Sequence, residues 1–83
     1  MVIKEVRTSG EFVRDSKQLD NSIRVKLDKQ IGKIMENPDC GKPLRYDMKG
    51  ERTIYVKPYR LIYKVEGDVL FLLQFSHRKG VYK

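Results

Sequence analysis

The sequence is short of the residues from which most recognisable active sites are built. It holds one histidine and one cysteine, so two histidines cannot share acid and base duties within one chain, and no internal disulfide can form. Cys40 has no second cysteine and no ligand spacing around it, and reads as a loop residue with no metal or cofactor site. There is no Gly-rich phosphate loop, no Ser-His-Asp order and no sustained coiled-coil heptad. No apolar run approaches the roughly 20 residues a helix needs to cross a bilayer, and the N-terminus lacks a signal peptide's apolar segment. The expected location is the cytoplasm, with no membrane partner. Internal repeats, low-complexity tracts and linkers are missing too, which leaves residues 1–83 as one domain with a single modest core.

Acidic residues are also scarce. The chain carries 11 acidic against 18 basic residues, a net charge of +7. That excess suggests a polyanionic partner, nucleic acid first and an acidic protein second. Composition alone is equally compatible with a basic surface that serves solubility.

What is present is a clear order of elements. Val2 to Val6 reads as a short strand. Thr8-Ser9-Gly10-Glu11 has the form of a capping box, with Thr8 and Glu11 satisfying each other's backbone donors. The short helix that follows buries Phe12 and Val13 and ends near Leu19. Asp20 or Asn21 caps a longer helix, on which Ile23, Leu27, Ile31, Ile34 and Met35 form one apolar stripe, and Pro38 stops it. Cys40 to Glu51 is a loop anchored by Leu44, and Arg52 to Lys57 alternates as a strand before the Pro58 turn. The expected fold is α+β: two N-terminal helices on one face of a small, mainly antiparallel four-stranded sheet, in the order β-α-α-β-β-β.

The most apolar part of the chain is a hairpin. Tyr59 to Val65 alternates, and Val69 to Ser76 is apolar on both faces, as a mid-sheet strand should be. A three-residue loop, Glu66-Gly67-Asp68, would set Val65 against Val69, Tyr63 against Phe71, Leu61 against Leu73 and Tyr59 against Phe75. Arg60 then lies beside Gln74, with Ser76 and Arg78 next in line, away from the apolar side. The face that the helices leave uncovered is only partly apolar (Ile62, Leu70, Leu72) and is expected to be a ligand cleft or a partner surface.

The remaining chemistry is cationic and clusters at one end: Arg60, His77, Arg78, Lys79 and Tyr82. Cleaving RNA through its own 2′-hydroxyl needs a base for that proton, an acid for the departing 5′-oxygen, and cations for the crowded phosphate. Arginine suits the last task because its planar fork grips two phosphate oxygens at once. Ionising a tyrosine at neutral pH costs about 4 kcal/mol from its ordinary pKa unless neighbouring cations lower it. Imidazole has no such handicap. Side-chain chemistry therefore favours His77 as base and Tyr82 as acid or positioning group. Strand alternation offers another reading, because His77 shares the parity of Phe75 and would then be a structural residue on the helix side.

Three segments together, Gly41-Lys42-Pro43-Leu44, Tyr59-Arg60-Leu61-Ile62-Tyr63 and His77-Arg78-Lys79-Gly80-Val81-Tyr82, resemble the RelE/ParE toxin superfamily of toxin–antitoxin systems. The resemblance extends to the order of elements along almost the whole chain. It implies a RelE-like fold with the first strand beside the last. It also implies, for the RelE branch, a ribosome-dependent endoribonuclease that cuts mRNA in the A site and leaves a cyclic phosphate. By position it gives Arg60 and Arg78 to phosphate stabilisation and Tyr82 to catalysis, with His77 at a position that varies among members, some of which use a histidine nearby. Lys49, Arg52, Lys57 and Lys79 are the cations expected along the RNA path. Where RelE toxins carry alternating lysines on the strand before the hairpin, this chain has Thr53 and Tyr55. The implied partners are a RelB-like antitoxin, forming a hetero-oligomer, and the ribosome with its mRNA. A ParE-type toxin acting on DNA gyrase, and an inactive module that only binds RNA or antitoxin, are the alternatives.

Overall fold

The β-hairpin reaches the expected separation of faces by a different route. In the computed structural model, which describes residues 3–43 and 50–77, the hairpin strands are β4 (Tyr59–Glu66) and β5 (Val69–His77). The loop between them is two residues long: Glu66 pairs with Val69, and Gly67 turns with φ 62°. That positive φ is cheap only for glycine. A two-residue loop puts Val65 opposite Leu70 and Tyr63 opposite Leu72, which corrects the Val65–Val69 and Tyr63–Phe71 pairs expected from a three-residue loop.

The register then shifts. Ile62 pairs with Gln74 and Tyr63 with Leu72, so Leu73 is an extra residue with no partner on β4. This β-bulge flips the parity of β5 halfway along it. Leu70 and Leu72 point into the core on one side of the bulge and Phe75 on the other, at 0%, 2% and 1% exposure. Leu70 and Leu72 therefore do not line an open face, as uniform alternation suggested. A strand that is apolar on both faces can hide its best side chains on one face only by such a slip.

The full sheet has five strands in the order β1-β5-β4-β3-β2, with the hairpin in the middle. The first, β1 (Glu5–Thr8), lies parallel to β5, and β3 (Glu51–Val56) is antiparallel to β4. The fifth strand, absent from the expected four, is β2 (Lys42–Pro43), a two-residue edge on β3. The strand expected over Val2 to Val6 is instead Glu5–Thr8, whose last residue, Thr8, pairs with Leu72. Engaged in that ladder, Thr8 does not cap the first helix. Ser9 does: its Oγ accepts from the Phe12 N–H at 3.0 Å. The same hydroxyl donates to the carbonyl of Leu73, the bulged residue, at 2.5 Å.

Helix α1 (Gly10–Ser16) stops three residues before Leu19 and buries Phe12, while Val13 is exposed, contrary to the sequence reading. Helix α2 (Asn21–Glu36) starts at the Asp20 cap, whose carboxylate accepts from the Ile23 N–H at 3.0 Å. That bond, helped by Ser22, holds the Asp20 carboxyl below its ordinary range. Leu27 and Ile34 are buried and Ile23 and Ile31 pack beside them, but Met35 is exposed at the edge of the stripe. Leu44 lies outside the described residues.

One apolar cluster joins Phe12, Leu27 and Ile34 of the helices to Val56, Leu61, Tyr63, Leu70, Leu72 and Phe75 of the sheet. Both helices therefore pack on a single face. The other face carries the alternate residues, among them Thr53, Tyr55, Arg60 and Ile62.

Candidate functional site

Arg60 lies on the sheet face opposite the helices, half-buried and paired across β4 with Tyr55 on one side and Ser76 on the other. Its Nε donates to Thr53 Oγ1 at 3.0 Å. Thr53 is itself 8% exposed, so the acceptor sits in a place where water competes poorly. This bond uses one of the five guanidinium donors and leaves the two Nη groups, the fork that grips a phosphate. A lysine at residue 53 would set like charges side by side; threonine holds the arginine instead.

More cations share this face. Lys42 pairs with Thr53 across β2, and Lys64 lies four residues along β4 from Arg60. Lys64 bonds Glu66 at 3.0 Å and sits 5.6 Å from the centroid of the Phe71 ring, and Phe71 in turn pairs with Arg7 of β1. Glu51 and Glu66 are gathered at the Lys64 end. Among the described residues of this face, the positive charge farthest from these carboxylates therefore lies toward Arg60 and Lys42.

The structure does not place every expected site residue with Arg60. His77 ends β5 opposite Tyr59, with the two rings edge to face at 5.6 Å, and Tyr59 stacks on Phe75 at 4.9 Å. By alternation His77 is on the helix side of the sheet, yet it is exposed, because it extends past the end of the core. Arg52 also faces the helix side, opposite Tyr63; its Nη1 donates to the Gly41 carbonyl at 2.8 Å, and its Nη2 lies 3.3 Å from Asp39 Oδ1. Lys57 is exposed in the turn before β4. Lys49, Arg78, Lys79 and Tyr82 lie outside the described residues.

Arg52 belongs to a polar knot that the sequence did not announce. The Tyr63 hydroxyl, fully buried, accepts from the Gly41 N–H and donates to the Pro38 carbonyl, each at 2.9 Å. Burial pushes this phenol up to about 12. A Cβ on Gly41 would meet the Tyr63 hydroxyl at 2.6 Å and the Thr53 carbonyl at 2.9 Å, so glycine is required by space here. The knot borders a cleft of about 210 Å³ between Asp39, Arg52 and Val65, on the other side of the sheet from Arg60. Among the described residues no cluster of His, Cys, Asp and Glu could hold a metal ion, and no helix is long and apolar enough to cross a membrane.

Thr53 and Tyr55 stand where the resemblance expects lysines, but the sequence did not show that they meet Arg60; only the β3–β4 register sets them against it.

The fold is that of known toxins. A chain of the DinJ–YafQ toxin–antitoxin complex of E. coli superposes with a TM-score of 0.80 at 21% identity, over 99% of this chain and 100% of that one. The YoeB/ParE toxin from Agrobacterium tumefaciens gives 0.80 at 20% identity, over 90% and 99%. The toxin–antitoxin complex RelBE2 from Mycobacterium tuberculosis gives 0.76 at 28% identity, over 94% of each chain. No curated protein matches the sequence significantly. Over residues 5–82 the sequence matches the family described as "ParE toxin of type II toxin-antitoxin system, parDE". The chain therefore belongs to the ParE toxin family of type II toxin–antitoxin systems, within the RelE/ParE superfamily.

Proposed function

We propose that this toxin is a ribosome-dependent endoribonuclease that stops translation by cutting mRNA. In the reaction, the 2′-oxygen attacks the adjacent phosphorus and the bond to the 5′-oxygen breaks, leaving a 2′,3′-cyclic phosphate and a free 5′-hydroxyl. One group takes the 2′ proton and another gives a proton to the leaving oxygen. Arg60 and Arg78 stabilise the phosphate, with Tyr82 and His77 as the acid–base candidates. Lys49, Lys57 and Lys79 contribute charge along the RNA path.

The observation that carries this reading is Arg60 itself: a guanidinium on the sheet face opposite the helices, tied through Nε to Thr53. An arginine held that way is pre-oriented for a phosphate. The excess of positive charge supports a polyanionic substrate. Acting on ribosomes places the protein in the cytoplasm. Relatives crystallised with antitoxins support a RelB-like antitoxin as the partner that keeps this chain inactive.

The test is controlled expression followed by mapping of mRNA 5′ ends, with and without translation. New ends confined to translated messages, and lost on Arg60→Ala, are expected. The family description favours a second reading, a ParE-type toxin acting on DNA gyrase. Intact messages together with DNA damage would select it.

A further inference from the structure

Beside Arg60 lies a side chain that phosphate chemistry leaves unexplained. Tyr55 is 48% exposed, and it is the one aromatic among the described large apolar residues that stand out into solvent; the others are Val6, Val13, Val25 and Met35. Its register partner is Arg60, so the two side chains rise next to each other from the same face. Next along that face come Thr53 and Ile62, with Lys42 across from Thr53. An aromatic ring open to solvent, set within reach of a guanidinium and flanked by positive charge, is how sheets bind unpaired nucleotides: the cation takes the phosphate and the ring takes the base.

We propose that Tyr55 is a stacking platform for an unpaired base of single-stranded RNA whose phosphate Arg60 holds. The proposal rests on the nuclease reading and deepens it, by giving the substrate a base contact one strand away from its phosphate contact. Charge argues for RNA on this face, since among the described residues Glu51 and Glu66 sit at the Lys64 end, away from Arg60. An extended acidic polypeptide would satisfy the charges but would have no need of the ring.

The chain contains no tryptophan, so Tyr55→Trp introduces a single indole at the site. The purified full-length variant is titrated with a short single-stranded oligoribonucleotide bearing 2′-O-methyl groups, which block cleavage. Saturable quenching is expected, and none from Val25→Trp on the outer surface of α2, where residue 25 is 49% exposed. In cleavage assays Tyr55→Phe, which keeps the ring, should hold KM below that of Tyr55→Ala. Tyr55→Ala should raise KM about tenfold or more while kcat changes less. The proposal is overturned if the indole is not quenched. Equal quenching by an abasic ribose-phosphate oligomer or by polyglutamate also overturns it, as does an unchanged KM in Tyr55→Ala. Quenching without cleavage under any condition keeps the base contact and removes the nuclease reading. Cleavage with a normal KM in Tyr55→Ala does the reverse.

Discussion

Arg60 and Thr53 are joined by one hydrogen bond, Nε to Oγ1 at 3.0 Å, that runs diagonally across the β3–β4 ladder. Their direct partners are Tyr55 and Ile62. Diagonal neighbours in a sheet are about 7–8 Å apart, a span an arginine covers easily. Threonine, branched at Cβ and stiff about χ1, offers an acceptor in a fixed place.

Removing that acceptor separates position from charge. Thr53→Val keeps the branched shape and should lower single-turnover cleavage about tenfold, the value of one hydrogen bond to a charged group. Arg60→Ala should lower it by about 10² to 10³. The double variant should be no slower than Arg60→Ala alone. Additive losses would show that Thr53 acts by some other means than holding Arg60.

The cap of α1 and the bulge of β5 meet at Ser9, which accepts from Phe12 and donates to Leu73. Ser9→Ala should cost about 1–2 kcal/mol, since it loses the cap and orphans a part-buried carbonyl. In a domain of this size each kcal/mol lowers Tm by roughly 4–8 °C. Ser9→Asp restores the acceptor but not the donor, so thermal denaturation should place it between Ala and wild type. Full recovery by Asp would mean that the bond to Leu73 contributes nothing.

Gly41 and Tyr63 make a third test. Gly41→Ala forces a methyl against the Tyr63 hydroxyl and the Thr53 backbone, and should destabilise by about 1–3 kcal/mol in denaturant titrations. Tyr63→Phe leaves the Gly41 N–H and the Pro38 carbonyl without their shared partner, for a similar loss. A Gly41→Ala variant as stable as wild type would show that the loop moves freely away from β3.

Two pH limbs follow from the shifted groups. The Tyr63 pKa is raised in the folded state, from 10.0 to about 12. Its contribution is fully present below pH 10 and is lost as pH climbs toward 12, because the unfolded chain releases that proton first. Urea unfolding between pH 9 and 12 should show that decline, and Tyr63→Phe should flatten it. The Asp20 pKa is lowered by the Ile23 N–H, so its contribution is present above the unfolded value and lost as pH falls through the folded one. Asp20→Ala should remove that part of the acid limb.

Much of the architecture could be read from pattern. The apolar stripe of α2, the Asp20 cap, the stop before Pro38 and the central place of Val69 onward all follow from local periodicity and backbone sterics, which act over a few residues. Motif order was enough to reach the family. The position of Arg60 away from the core was also expected, although Ser76 rather than Gln74 lies beside it.

Tertiary structure alone decided the register. Whether the hairpin loop has two residues or three turns on a slip at Leu73 that periodicity cannot show, because β5 is apolar on both faces and each parity buries good side chains. The same holds for the bond from Arg60 to Thr53, the ring of Tyr55 beside it, and the contact between Tyr63 and a glycine 22 positions earlier in the chain. Composition and spacing constrain near neighbours in the chain. Which distant groups meet is set by the packing of two helices on one side of the sheet, and that packing left the other side to the guanidinium and the phenol.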